Sequence, residues 1–126
     1  MDLPFVMTGV VEHGRKLGNT YDSPTANITP AEDIARLPHG VYYSSVSVDG
    51  KEYPAITNLG VRPTVSDDDR VNAETFIYDY DNDLYGKTIK VTLIAFRRKE
   101  QRFDSVDELY DTVRLDLEEG RIFHGI

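Results

Sequence analysis

The chain has 126 residues, of which 40% are hydrophobic, so it can bury one continuous core but hardly two, and we expect a single domain over residues 1–126. It contains no Cys, which excludes disulfides, thiolate chemistry and Cys-based zinc sites. Its formal net charge of −8 argues against nucleic acid as a ligand, because positive charge normally supplies much of that affinity.

The N-terminal residues lack a basic segment followed by a long apolar one, and no apolar run approaches the roughly 20 residues that span a bilayer. We therefore expect a protein that acts in the cytoplasm without a membrane. The sequence indicates no obligate protein partner. Small basic spots at Arg15-Lys16 and Arg97-Arg98-Lys99 on an acidic chain favour a small anionic ligand.

The N-terminal half of the chain reads mainly as strands, because apolar and polar residues alternate. A first strand is predicted from about Phe5 to about Glu12, and a short one after Pro24. Asp49-Gly50 lies between two alternating segments and predicts a tight hairpin turn, whose strands run from about residue 41 to about residue 58. Thr29-Pro30-Ala31-Glu32 has the residues of a helix start, so a short helix through Arg36 is predicted.

The C-terminal half contains a second predicted hairpin and a helix. Residues 74–78 and 89–95 alternate as strands, and we expect residues 81–86 to form the turn between them. Ser105-Val106-Asp107-Glu108 forms a capping box. Five apolar residues then fall on one helical face until Gly120 ends the pattern: Val106, Leu109, Tyr110, Val113 and Leu117.

This order of elements predicts a mainly β protein. Five or six strands followed by one amphipathic helix favour a small, closed or nearly closed antiparallel barrel with the helix packed across it.

The strongest functional signal is the segment Gly9–Gly18, which is followed by Pro24-Thr25-Ala26-Asn27. Its glycines allow backbone N–H groups to approach an anion, and its Arg and Lys neutralise charge. A Thr hydroxyl beside an Asn amide can hold a divalent ion or phosphate oxygens. An ordinary cluster of turn residues remains the alternative.

Two other motifs are rejected. Gly86-Lys87-Thr88 lacks the first glycine of a phosphate loop, because Asp81 stands at that position. Asp79, Asp81 and Asp83 have the spacing of a calcium loop but lack its later glycine and glutamate. We interpret these residues as a turn glycine and solvated carboxylates.

The order of residues in the Gly9–Asn27 segment resembles the riboflavin kinase family. The resemblance continues through nearly the whole chain, from about Phe5 to about Asp116. Further segments that carry it are Gly40-Val41-Tyr42, Asn58–Thr64, Glu74, Asp83-Leu84-Tyr85-Gly86, and Arg98, Glu100, Phe103 and Asp104-Ser105.

The resemblance implies a six-stranded antiparallel Greek-key barrel with a C-terminal helix. It also implies transfer of the ATP γ-phosphoryl group to the 5′-hydroxyl of riboflavin, giving FMN and ADP. Glu74 would be the general base, and Thr25 and Asn27 would hold Mg²⁺ and phosphate oxygens. The implied nucleotide-binding residues are Gly14, Arg15, Lys16, Gly18, Thr25, Asn27 and Tyr85, and the implied flavin-binding residues are Arg98, Glu100 and Phe103.

The chain departs from the family pattern directly before Pro24. Asn19, Asp22 and Ser23 stand where the family usually has a basic residue, Gly and a large apolar residue. Two alternatives to an active kinase therefore remain open: a non-catalytic flavin- or nucleotide-binding paralogue with a degenerate phosphate loop, and a plain structural or interaction barrel. The adenylyltransferase domain of bifunctional relatives is not recognised in the sequence, so adenylation of FMN is not expected.

Overall fold

In the computed structural model the chain forms one antiparallel sheet and a C-terminal helix. The structure describes residues 3–12, 25–34, 36–61, 71–80 and 83–126. The elements in these ranges are β1 (Phe5–Val10), β2 (Thr25–Ile28), β3 (Gly40–Val48), β4 (Lys51–Val61), β5 (Val71–Ile77), β6 (Thr88–Lys99) and α1 (Val106–His124).

The hairpin predicted at Asp49-Gly50 is confirmed. Strands β3 and β4 pair in register from Gly40↔Leu59 to Val48↔Lys51. Asp49 and Gly50 both have positive φ, 52° and 79°, as a two-residue turn between twisted strands requires. Asp tolerates this backbone conformation better than most residues, and Gly adopts it without steric cost.

The strand order is β1-β6-β3-β4-β5-β2, with every neighbouring pair antiparallel. Strands β3, β4 and β5 follow one another across the sheet, and β6 then returns to lie beside β3. This arrangement is a Greek key. The mainly β, six-stranded Greek-key fold expected from the sequence is therefore confirmed.

The second predicted hairpin is wrong, although both of its strands exist. β5 pairs with β4 and β2, whereas β6 pairs with β3 and β1. The segment after β5 is rich in turn residues, which is what predicted a hairpin there. The partner of β6 depends instead on which strand still has an unpaired edge. The edge of β3 that does not pair with β4 pairs with β6 along eight residues.

The sheet curls until its two edge strands approach each other. Glu12 and Asn27 form an isolated antiparallel bridge, in which the Glu12 N–H donates to the Asn27 carbonyl at 2.7 Å. A Cβ on Gly9 would lie 2.8 Å from the Ile28 Cβ, so glycine permits this close approach.

The short helix predicted after Thr29 is also wrong, since residues 29–34 and 36–38 contain no helix. The segment is held against the edge of β1 instead. The Ala31 N–H donates to the Thr8 carbonyl, and the Glu32 carboxylate accepts from the Thr8 N–H at 2.7 Å and from its hydroxyl at 2.8 Å. Glu32 therefore satisfies a strand edge and does not cap a helix.

The core lies inside the curled sheet and includes Met7, Ile28, Val46, Leu59 and Leu93, all fully buried. A chain of three buried hydroxyls crosses it on neighbouring strands, with 2.8 Å from Ser44 to Thr57 and 2.8 Å from Thr57 to Thr75. These hydroxyls satisfy one another, so they are buried without unpaired donors.

Helix α1 begins at the predicted Ser105 cap, whose hydroxyl accepts from the Glu108 N–H. It does not end at Gly120 as predicted. Its last helical residue is His124, and Gly125, in the left-handed conformation (φ 70°), is its C-terminal cap. Within the described ranges, no helix combines the length and the apolar character needed to cross a membrane.

Candidate functional site

Two neighbouring strands bring together residues that the sequence separates by almost 50 positions. In the β2–β5 ladder, Asn27 lies directly opposite Glu74, and Thr25 lies opposite Phe76. Residues directly opposite in an antiparallel pair point to the same face, with their Cβ atoms about 5 Å apart. Glu74, Asn27 and Thr25 therefore share one face of the sheet.

This face is the outer one, because the intervening residues Ala26 and Thr75 are buried in the interior. The row of paired residues continues to both sides of Asn27 and Glu74. Glu12 bridges to Asn27, Asn58 is opposite Glu74, Val41 is opposite Asn58, and Arg98 is opposite Val41. We call Glu12, Asn27, Glu74, Asn58 and Arg98 the polar row.

The residues at the Asn27 end of the polar row differ in burial. Asn27 is only 5% exposed, Thr25 and Glu74 are half-buried, and Asn58 is exposed. No buried side-chain polar atom in the described part of the chain lacks a hydrogen-bond partner. This end of the polar row thus places a half-buried carboxylate on the same face as a buried amide and a half-buried hydroxyl.

The donor set at this end of the row is made of oxygens. A Thr hydroxyl, an Asn amide oxygen and a carboxylate suit a hard cation such as Mg²⁺, which takes few protein ligands and keeps waters and substrate phosphates. Among the residues that the structure describes, no group of three or more His, Asp or Glu side chains could hold a metal ion. The residues present fit a cation that arrives with a phosphorylated substrate.

At the other end of the polar row, Arg98 is bound to the helix. Its Nε donates to Asp116 Oδ1 at 2.9 Å and its Nη2 donates to Asp116 Oδ2 at 2.7 Å, which makes a bidentate pair. Arg97 Nε also donates to Asp116 Oδ1, at 2.7 Å, and Arg97 Nη1 donates to the Tyr43 hydroxyl at 2.9 Å. Asp116 is 4% exposed.

The pKa of Arg97 is raised. Burial alone would lower it, but the hydrogen bonds to Asp116 and Tyr43 outweigh that effect. Arg97 therefore stays ionised, and the cluster places one carboxylate between two guanidinium groups.

The other residues expected near a flavin lie close to the Arg98 end. The Glu100 carboxylate is 3.9 Å from His39 Nδ1. Gly60 leaves room for it, because a Cβ at that position would lie only 2.4 Å from Glu100 Oε1. Glu100 therefore lies over the backbone of β4. Phe103 is half-buried in the segment that leads to α1.

The predicted nucleotide-binding residues are only partly described. Tyr85 is 54% exposed, and its N–H donates to the Asp83 carboxylate at 2.9 Å in the turn before β6. Gly14, Arg15, Lys16 and Gly18 lie outside the described residues, as do the departures from the family pattern at Asn19, Asp22 and Ser23.

Two residues of the site were not singled out from the sequence. Asn58 was missed because its position opposite Glu74 depends on the β4–β5 register. Asp116 could have been found from the sequence, because it falls at helical spacing with Val113, Leu117 and Gly120 on the inward face of α1. A carboxylate on an apolar helical face needs a partner.

The fold and the polar row together define a small β-barrel protein with a carboxylate beside an Asn/Thr pair. A family model described as flavokinase, riboflavin kinase, matches residues 1–124. The chain therefore belongs to the riboflavin kinase family.

Curated relatives support this membership. The chain is 38% identical to a bifunctional riboflavin kinase/FMN adenylyltransferase of Pseudomonas fluorescens, over 94% of this chain and 38% of the relative. It is 39% identical to the enzyme with the same description from Escherichia coli, over 98% of this chain and 39% of the relative. The chain thus spans less than two-fifths of the length of these relatives.

Solved structures agree on the fold. A crystal structure from Streptococcus pneumoniae, described as a macrolide-efflux protein, is similar with a TM-score of 0.81 and 32% identity, over 94% of this chain and 38% of that one. A riboflavin kinase from Trypanosoma brucei is similar with a TM-score of 0.62 and 24% identity, over 95% of this chain and 79% of that one. We take the fold alone from both.

Proposed function

We propose that this chain is a riboflavin kinase, which transfers the γ-phosphoryl group of ATP to the 5′-hydroxyl of riboflavin and forms FMN and ADP. The observation that carries the proposal is the cross-strand pairing of Asn27 with Glu74. It places a carboxylate and the Asn/Thr pair on one face, an arrangement that suits phosphoryl transfer from a metal-bound triphosphate. Family membership supports the same reaction.

Glu74 is the proposed general base. Its carboxylate would accept the proton of the 5′-hydroxyl as that oxygen attacks the γ-phosphorus and the bond to the β-phosphate oxygen breaks. A half-buried carboxylate at the edge of solvent is accessible to an alcohol. The neighbouring strands hold its backbone on both sides, at Asn27 and Asn58, so it needs little reorganisation during the reaction.

Thr25 and Asn27 are the proposed contacts to Mg²⁺ and the phosphate oxygens. Bound Mg²⁺ would neutralise charge that develops on the phosphate oxygens in the transition state. The contribution of the chain is to fix these two oxygen donors beside Glu74, because Thr25 and Asn27 are two residues apart on one strand and face the same side.

The flavin is proposed to lie along the polar row. Arg98 is three strands from Glu74, which is about 14 Å measured along the sheet. That separation suits an acceptor whose reactive hydroxyl stands at the end of an extended chain and whose ring system lies well away from it. Arg98, Glu100 and Phe103 are the proposed ring contacts.

The nucleotide is proposed to contact Gly14, Arg15, Lys16 and Gly18, together with Tyr85. We propose one kinase domain over residues 1–126 that works with small-molecule substrates alone and acts in the cytoplasm, where ATP is supplied.

The direct test is to incubate the protein with riboflavin, ATP and MgCl₂ and to separate the flavins by chromatography. We expect FMN to appear in proportion to ADP, and its formation to stop when Mg²⁺ is removed by EDTA and to resume when Mg²⁺ is restored. A protein that binds riboflavin but forms no FMN with any nucleoside triphosphate would contradict the proposal.

A further inference from the structure

The proposed reaction leaves the role of Asp116 unexplained. It is one of two buried residues on α1, and its carboxylate meets two guanidinium groups. Replacement of a buried ion pair by apolar side chains is often neutral or stabilising, so stability alone is a poor reason for this cluster. We therefore expect a role of Asp116 in the site, through its contact with Arg98.

The backbone of β6 is shaped to bring both arginines to Asp116. Consecutive residues of a regular strand point to opposite faces. Val41 of β3 pairs with Arg98 of β6, but the next residue of β3, Tyr42, pairs with Phe96. Arg97 therefore has no pairing partner on β3 and is the extra residue of a bulge. Bulges of this kind re-aim a side chain, and here Arg97 and Arg98 converge on one carboxylate.

The contacts of Arg98 fix the orientation of its guanidinium plane. Two N–H groups on one edge engage the two oxygens of Asp116, and Nη1 donates to the Lys99 carbonyl at 3.1 Å. These bonds use three of the five N–H groups of the guanidinium. A planar group held at three points presents its face in one direction, which is what stacking on a ring requires.

We infer that Asp116 is a positioning residue for the flavin side of the site, which acts by holding the Arg98 guanidinium in the plane that packs against the ring system of riboflavin. The inference rests on the proposed function, in which Arg98 contacts the flavin. Asp116 itself does not touch the substrate. Asp116 thereby links α1 to the orientation of Arg98, so it affects the affinity for flavin and leaves the affinity for the nucleotide unchanged.

The test measures riboflavin binding without ATP, by flavin fluorescence, and the KM values for riboflavin and MgATP. Asp116→Asn keeps the shape of the side chain but loses the charge, and we expect riboflavin binding to weaken about tenfold or more. Asp116→Glu keeps the charge, so binding should recover in part. The KM for MgATP should stay within about twofold in both variants.

The matched control is Tyr78→Phe. Tyr78 also ties α1 to the sheet, since its hydroxyl donates to the Leu117 carbonyl at 2.7 Å. In the part of the chain that the structure describes, no hydrogen bond or ion pair joins it to Arg98. Riboflavin binding should be unchanged in this variant. An Asp116→Asn effect that is shared by Tyr78→Phe would show that Asp116 serves only to dock the helix.

A double variant separates positioning from a general loss of structure. Once Arg98 is replaced by Lys, adding Asp116→Asn should change riboflavin binding by less than about twofold, because the two residues act as a unit. Additive effects, or a folded Asp116→Asn protein that binds riboflavin as the wild type does, would overturn the inference. If Asp116→Asn does not fold, unaltered riboflavin binding in the single variant Arg98→Lys would overturn it, because Lys lacks the planar group that Asp116 is inferred to hold.

Because binding is measured without ATP, the two proposals fail in different ways. A wild-type protein that binds riboflavin but makes no FMN contradicts the proposed function and leaves the binding comparison of Asp116 variants valid.

Discussion

The roles of individual residues in this protein depend on their neighbours across the sheet. A Glu on a strand is ordinarily a solvated carboxylate, and the sequence alone favours that interpretation for Glu74. The resemblance to riboflavin kinases predicted Glu74, Thr25 and Asn27 as members of one site. That Asn27 stands directly opposite Glu74 follows from the β2–β5 register, which no local pattern specifies.

The raised pKa of Tyr78 leads to a prediction about the pH dependence of stability. Tyr78 is 1% exposed, and burial raises its pKa from 10.0 to about 12, although nearby Arg121 opposes the change. A raised pKa in the folded state stabilises the protein fully below pH 10.0 and less as the pH rises toward 12. We expect the free energy of unfolding to fall in this window by at most about 1.4 kcal/mol per pH unit.

Denaturant unfolding of the wild type and of Tyr78→Phe, at pH 9 and again between pH 10 and 12, checks this expectation. The wild type should be the more stable at pH 9, by about 1 kcal/mol for the lost hydrogen bond to Leu117. The difference should shrink as the pH rises. Parallel pH dependences in the two proteins would show that Tyr78 does not titrate as described.

At the scale of elements, the docking of α1 depends on the absence of a side chain at Gly120. A Cβ there would lie 2.1 Å from the Tyr78 hydroxyl oxygen and 3.1 Å from its Cζ. Gly120→Ala improves intrinsic helix propensity by about 1 kcal/mol, but overpacking against a buried ring costs about 1–3 kcal/mol. We expect the variant to lose stability, as measured by its midpoint in urea.

A double-mutant cycle identifies the cause. Tyr78→Phe removes the atom that the new Cβ would meet, so Gly120→Ala should be at least about 1 kcal/mol less harmful in that background. A Gly120→Ala protein more stable than the wild type would mean that the contact between Gly120 and Tyr78 is easily relieved.

The errors in predicting elements have a common cause. The sequence around Thr29 and Gly120 satisfies local rules for a helix start and a helix end, and tertiary contacts override both. Glu32 binds the edge of β1, and Gly120 packs on Tyr78. Turn residues after β5 predict a reversal of the chain but cannot indicate that β6 pairs with β3. Elements with local causes, such as the Asp49-Gly50 hairpin, were predicted correctly.

At the scale of the whole molecule, the barrel depends on the contacts between its first strand and the segment after β2. Glu32 is part of that seam. Its burial would raise its pKa, but the hydrogen bonds from the Thr8 N–H and hydroxyl lower it below 4.5. A lowered pKa gives stability that is present above pH 4.5 and is lost as the pH falls through the folded-state pKa.

We therefore expect Glu32→Gln to be less stable than the wild type at pH 7, with a difference that shrinks in acid. Urea unfolding at pH 7 and at decreasing pH below 4.5 measures it, with Glu118→Gln on the exposed face of α1 as the control. A stability difference that does not depend on pH would show that the hydrogen bonds do not depend on the charge of Glu32.

The fold class could be predicted from the sequence, because the alternation of apolar and polar residues indicates strands and the helical spacing of apolar residues indicates one amphipathic helix. The contacts by which the two edge strands approach each other could not be predicted, since they depend on Gly9 and Ile28 meeting across the seam.

The central claim is that the carboxylate of Glu74, held beside Asn27, activates the hydroxyl that receives the phosphoryl group. The most direct measurement is the turnover of Glu74→Gln with riboflavin and MgATP, compared with Glu52→Gln, which makes the same change at an exposed position near the far end of β4. We expect kcat to fall by about 10²–10⁴ in Glu74→Gln and to remain at the wild-type value in Glu52→Gln. A folded Glu74→Gln protein that turns over within about twofold of the wild type would contradict the account.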